Sequence, residues 1–266
     1  VAHPLKNLDI QSANVLVVTG AEGAGRSTLI EALYALMQPK QQSPTLWVDT
    51  TLDCGVLRKL KGLSTLKGVE GRSLVEMLQI LDAQRPPIGP EIDWQLAEVP
   101  YPIAGLHEGV SLYPDTQAKM AQHERAMLVE DPYILKALAY TWPRFLAKNY
   151  QAVIFNGFDE PLTRSLFSKM PVDLLYLTTP QHVADEETLN RLRACGTWNS
   201  TNVLMTQAPA HAPLHHSWDA ILEASSSWRF IGRLPYFQND DEWQHGYLGN
   251  LKSCLLRLNW SGGSLV

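Results

Sequence analysis

Asn14-Val15-Leu16-Val17-Val18-Thr19-Gly20-Ala21-Glu22-Gly23-Ala24-Gly25-Arg26-Ser27-Thr28 decides how this chain folds. Asn14–Thr19 is a short apolar run rich in β-branched residues, and Ser27–Met37 is a stretch of good helix formers. A glycine-rich turn between a strand and a helix is the setting in which the pattern G-x-x-x-x-G-K-[ST] cradles phosphate. Glycine lets backbone amides turn inward around phosphate oxygens, and the helix amino terminus adds a favourable dipole. Gly20, Gly23, Ala24, Gly25, Arg26, Ser27 and Thr28 are therefore candidate phosphate-binding residues. One position departs from the pattern, because Arg26 stands where lysine is expected. Arginine keeps the charge but is longer, planar and forked, so the exchange is not conservative.

Working outward from the loop, strand-like runs alternate with helical stretches, the mark of a parallel sheet with crossover helices. Strands are expected at Pro44–Asp49, Gly109–Tyr113, Gln151–Asn156, Val172–Thr178, Thr201–Thr206 and Trp228–Arg233. Helices are expected at Ser73–Leu81, Asp131–Lys148, Glu160–Met170, Val183–Ala194, Trp218–Ala224 and Leu248–Asn259. Residues from about 85 to 108, with Pro86, Pro87, Pro90, Pro100 and Pro102, read as an irregular surface excursion. The fold class is thus α/β, a mostly parallel twisted sheet with helices on both faces, in a single domain over 1–266.

Composition narrows the function. The chain has 266 residues, 45% of them hydrophobic, enough for one large α/β core. A net charge of −5 gives no global attraction to nucleic acid or anionic lipid, so nucleic acid is not an expected partner. Cys54, Cys195 and Cys254 are scattered and odd in number, which fits free thiols in a reducing compartment. A cytoplasmic location is expected, with no membrane-spanning run.

The order of landmarks resembles the deviant P-loop ATPases of the ParA/MinD family over most of the chain. Gly20–Thr28 is similar to that family's G-K-G-G-x-G-K-T-T loop, and Val48-Asp49-Thr50-Thr51 to the V-D-x-D after its second strand. Tyr150–Asn156 is similar to its Y-D-x-V-x-x-D Walker B strand, and Val203–Thr206 to the strand that ends in an adenine-contacting asparagine. Ile231–Tyr236, containing Pro235, resembles its G-x-I-P-Y turn. The resemblance implies a P-loop NTPase fold, ATP or ADP with Mg as cofactor, and Asp49, Asn156, Thr206 and Pro235 as further cofactor-binding positions. Ser27 would offer its hydroxyl to the metal.

The departures bear on activity. The signature lysine that crosses to a partner's nucleotide falls at Ala21, and the loop lysine falls at Arg26. The carboxylate expected to position attacking water falls at Thr51, and the Walker B aspartate falls at Asn156. Phosphoryl transfer depends almost wholly on positioned charge and metal. The expectation is a degenerate pseudo-ATPase that binds and positions protein partners of a membrane-associated assembly, in the manner of the pilus or secretion branch (TadZ- or CpaE-like) or a BcsQ-like cellulose branch. Its dimer, if formed, would not depend on ATP, and recruitment to the inner membrane face would run through partners. One alternative is a slow ATPase using Arg26 and a substitute carboxylate at Asp159, a residue that also suits a helix cap before Pro161. Another is a DNA-partitioning module using Arg58, Lys59, Lys61, Lys67 and Arg72.

Three other groups of residues bear on function. His211, His215 and His216 have metal-ligand spacing, but Pro213 lies among them and no acid completes a set, so a solvated loop is expected. Leu248, Leu251, Leu255 and Leu258 form a helical stripe expected to pack on the sheet instead of on a membrane. Trp94, Tyr101, Tyr113, Trp243 and Tyr247 are aromatics able to mark a partner surface.

Overall fold

The computed structural model describes residues 14–37, 45–49, 105–107, 127, 130–136, 139, 152–157, 167, 170, 172–194, 198–224 and 227–258. Seven parallel strands make one sheet: β1 (Asn14–Gly20), β2 (Thr45–Asp49), β3 (Gly105–His107), β4 (Ala152–Asn156), β5 (Val172–Thr178), β6 (Trp198–Met205) and β7 (Trp228–Arg233). Their spatial order is β3-β2-β4-β1-β5-β6-β7. The helices described are α1 (Arg26–Met37), α2 (Glu186–Ala194), α3 (His216–Ala224) and α4 (Leu248–Leu258), the last preceded by a π-helical turn at Glu242–Tyr247.

Successive strand residues point to opposite faces, and both faces here are apolar. Val15, Val17, Val153, Phe155 and Leu174 join Leu189 and Leu192 of α2 and Trp218 of α3 in one layer. Leu16, Val18, Ile154, Leu175 and Leu204 join Leu29, Ile30 and Leu33 of α1 and Leu248, Leu251, Leu255 and Leu258 of α4 in the other. A parallel sheet covered on both faces needs continuous apolar strands instead of alternating ones, and β4 is buried along its whole length. The terminal leucine stripe therefore packs on the sheet, as the sequence indicated.

From β1 the chain runs through α1 toward β2 on one side; from β5 it runs through α2 and α3 toward β7 on the other. Right-handed crossovers in opposite directions put the helices on opposite faces. The direction of winding reverses beside β1, and in such sheets the crevice at the strands' carboxyl ends there is where ligands bind.

Several boundaries differ from expectation. β3 falls at Gly105–His107, inside the stretch read as irregular, while 109–113 lies outside the described residues. A three-residue edge strand paired with β2 needs no apolar run to announce it. α2 starts at Glu186, not Val183, because the Asp185 carboxylate accepts the N–H groups of Glu187 and Thr188 at 3.1 and 3.3 Å and so caps the helix. α3 starts two residues early, where His215 Nδ1 accepts the Ser217 N–H at 3.3 Å. Trp243 and Tyr247 are packing residues instead of an open aromatic surface: Tyr247 is buried, and Trp243 lies against Phe237 and Tyr247. Within the expected 131–148 helix, residues 132–136 are helical behind an Asp131 cap. The expected 73–81 helix lies outside the described residues.

Candidate functional site

The carboxyl ends of β1, β4, β5 and β6 and the chain just after β7 converge on the glycine-rich loop. The loop leaves β1 at Gly20, whose φ of 156° and tight seating against β5 leave no room for a side chain. A Cβ there would lie 2.7 Å from the Leu177 backbone nitrogen and closer still to its carbonyl oxygen. The next residue, Ala21, donates its N–H to that same Leu177 carbonyl at 3.0 Å, so the loop is pinned to β5 as it begins. Ala21 is half-buried and packs on the α1–α4 apolar layer. A methyl group suits that place, and it carries no charge to a neighbour.

Beyond Ala21 the loop turns through Gly23 and Gly25, with φ of 73° and 74°, values that L side chains rarely adopt. The Ala24 N–H closes the turn on the Ala21 carbonyl at 3.1 Å. By contrast, the N–H groups of Gly23, Gly25, Arg26, Ser27 and Thr28 reach no backbone carbonyl among the described residues. Successive unspent donors at a helix amino terminus form a nest for an anion. Arg26 and Ser27 are half-buried at the first turn of α1, and neither side chain has a hydrogen bond or ion pair among the described residues. This donor set fits a phosphate, and the Ser27 hydroxyl is the ligand the loop would offer a phosphate-bound Mg ion.

Asn156 closes the site on the β4 side. It ends β4 beside Val18 of β1 and Asp49 of β2, is buried, and is followed by Gly157, whose N–H reaches the Val18 carbonyl at 2.9 Å. The position next to the glycine-rich loop thus carries a neutral amide. Asp49 shares its end of the sheet by backbone register. Thr51, Asp159, the basic residues at 58–72, and Trp94, Tyr101 and Tyr113 lie outside the described residues.

β6 ends on the loop's far side. The Thr206 hydroxyl lies 2.7 Å from the Ala24 carbonyl oxygen and 3.1 Å from that of Thr178, with its one proton directed to an acceptor of the protein. Thr206 is buried, so this side chain holds the loop. What that strand end offers to solvent is Gln207, exposed, with φ of 54° and its Nε2 donating to the Gly23 carbonyl at 2.6 Å. Nothing in the sequence marks this residue, since glutamine is not a usual left-handed residue. Two further bonds, Leu234 N–H to Met205 and Ala208 N–H to Leu234, set half-buried Pro235 beside this end at 2.8 and 3.1 Å.

A separate aromatic group lies at the β5 end on the α2–α3 face. The Tyr176 hydroxyl is 3.3 Å from His182 Nε2, and the Trp218 indole donates to Thr178 Oγ1 at 3.1 Å. Burial lowers the His182 pKa, Asp185 opposes that and His215 adds to it. Burial, with Asp185, pushes Tyr176 up to about 12. His211 and His216 are exposed, and no group of three metal-ligating side chains occurs among the described residues.

No family model matches the sequence, and no curated protein matches it. Solved structures are similar along nearly the whole chain. A plasmid partition protein from Borrelia burgdorferi has a TM-score of 0.56 at 13% identity, covering 93% of this chain and 98% of that one. Cobyrinic acid a,c-diamide synthase from Mycobacterium smegmatis, with bound ATP analog and magnesium, has a TM-score of 0.54 at 17% identity, covering 94% and 97%. Another partition protein has a TM-score of 0.53 at 15% identity, covering 96% of this chain and 70% of that one. Among the described residues no helix is long and apolar enough to cross a membrane. The sheet order, the glycine-rich loop after β1 and these likenesses together give the chain the α/β fold that these partition proteins and the synthase share.

Proposed function

We propose that this protein holds ATP or ADP, with Mg, as a structural ligand and acts as a pseudo-ATPase binding and positioning module. The observation that carries this reading is the pairing of an anion nest at Gly23–Thr28 with a neutral residue, Asn156, at the adjoining strand end. The nest, the Arg26 guanidinium and the Ser27 hydroxyl would bind and orient phosphates; Mg would supply charge neutralisation when bound. Asn156 supplies no negative charge to hold the metal's shell, and half-buried Ala21 supplies none across an interface. Both are terms on which phosphoryl transfer depends.

Protein partners in a membrane-associated assembly, such as pilus, secretion or exopolysaccharide machinery, are the occupants this module would serve. Its self-association would not respond to ATP. Calorimetric titration with ADP and ATP, with and without Mg, tests the ligand. Binding should be measurable and lost in Gly25→Val, whose side chain would be forced onto a φ of 74°. Absence of binding to the unaltered protein at millimolar nucleotide contradicts the reading. The partition proteins that share the fold favour a second reading, a DNA-partitioning module, although the net charge of −5 weighs against it. Duplex binding that falls steeply with salt would select that reading.

A further inference from the structure

Among the described residues Gln207 is the one non-glycine residue with positive φ, at 54°. Such a backbone suits glycine, asparagine or aspartate far better. An observed outlier of this kind asks what holds it there. Its side chain answers: although exposed, it reaches across 184 residues of sequence to donate to the Gly23 carbonyl at 2.6 Å. Asparagine would relieve the backbone but is one methylene shorter. Reach therefore explains glutamine where conformation does not.

The bond falls at a consequential place. A trans peptide points its C=O and N–H in opposite directions. Gln207 fixes the Gly23–Ala24 peptide through its carbonyl, while the Ala24 N–H is held by Ala21 at 3.1 Å. Thr206 fixes the next peptide through the Ala24 carbonyl at 2.7 Å, which turns the Gly25 N–H the other way. Both carbonyls that could otherwise rotate into the cradle are thus tied back, and the donors of Gly25 and α1's first turn reach no backbone carbonyl among the described residues.

We infer that Gln207 is a positioning residue for the phosphate loop: it latches the Gly23 peptide so that the nest is formed before an anion arrives. This rests on the nucleotide-holding reading above, but the latch is readable without nucleotide. The experiment compares wild type with Gln207→Gly, which frees the backbone, and Gln207→Met, which keeps length and removes the donor. Amide hydrogen exchange of Ala21 and Ala24, the loop amides held by backbone carbonyls, is followed alongside melting temperature, and ADP, pyrophosphate and adenosine are titrated by calorimetry. Loop exchange should rise in both variants while Gln207→Gly melts no lower than wild type, an opposition that a merely structural residue would not produce. Affinity for ADP and pyrophosphate should fall about threefold to tenfold, the worth of one lost hydrogen bond, with adenosine unchanged. Unchanged loop exchange in both variants overturns the latch. A loss confined to adenosine overturns it too, because Gln207 would then serve the base. If wild type binds no nucleotide but the variants raise loop exchange, the latch stands and the nucleotide reading falls.

Discussion

Gly20→Ala tests the seating of the loop on the sheet. The added Cβ would lie 2.7 Å from both the Leu177 Cβ and its backbone nitrogen, and closer still to its carbonyl oxygen, at a φ of 156°. None of these atoms is the far end of a flexible side chain, so β1 must move off β5. Overpacking of this kind costs about 1–3 kcal/mol, and holding an L residue in such a backbone adds about 1–3 kcal/mol, so a loss of about 2–6 kcal/mol is expected. Gly23→Ala is the control in the same loop, because its Cβ would meet nothing within 4 Å. It should cost only the left-handed backbone penalty of about 1–2 kcal/mol. Urea unfolding followed by tryptophan fluorescence reads both, with buried Trp218 and Trp228 as reporters. If Gly20→Ala unfolds at the same urea concentration as Gly23→Ala, with the same slope, the close approach of β1's end to β5 is wrong.

Two further outcomes follow from named contacts. Thr206→Val keeps shape but strands the Ala24 carbonyl, so denaturant unfolding should show a loss of about 1–3 kcal/mol. For pH, the folded His182 pKa is lowered, first by burial, against Asp185 and with His215, while the Tyr176 hydroxyl faces its ring. The unfolded chain then binds the extra proton, so this contribution is full above the ordinary histidine value of about 6.5 and is lost as pH falls through and below it. Melting temperature between pH 7 and 5 should fall less in His182→Gln than in wild type; equal slopes would remove His182 from the account.

How much of this was readable depends on what each element needs from its own residues. β4 and most of β5 are buried on both faces, so Ala152–Phe155 and Leu174–Leu177 show as continuous apolar runs. The glycines of the loop were legible because only glycine suits their backbone. Helix starts shifted where a local side chain caps the first turn, as at His215, a residue without a strong capping preference that accepts the Ser217 N–H two residues on. The strand Gly105–His107 is defined by its pairing with β2 more than by its own composition. The π-helical turn at Glu242–Tyr247 stacks Trp243 on Tyr247 with centroids 5.1 Å apart, an arrangement no sequence spacing announces. Within the site, the resemblance points to Thr206 and Pro235 as ligand positions, whereas the Thr206 hydroxyl is spent on Ala24 and no sequence signal marks Gln207.

The pseudo-ATPase claim meets its most direct test in ATP turnover, measured with Mg on protein shown by calorimetry to bind nucleotide. The account predicts phosphate release at or near the background rate, with no change in Arg26→Ala, because the neutral Asn156 and Ala21 leave the site without the charge the reaction needs. Robust Mg-dependent release that Arg26→Ala abolishes would contradict it and make this protein an enzyme.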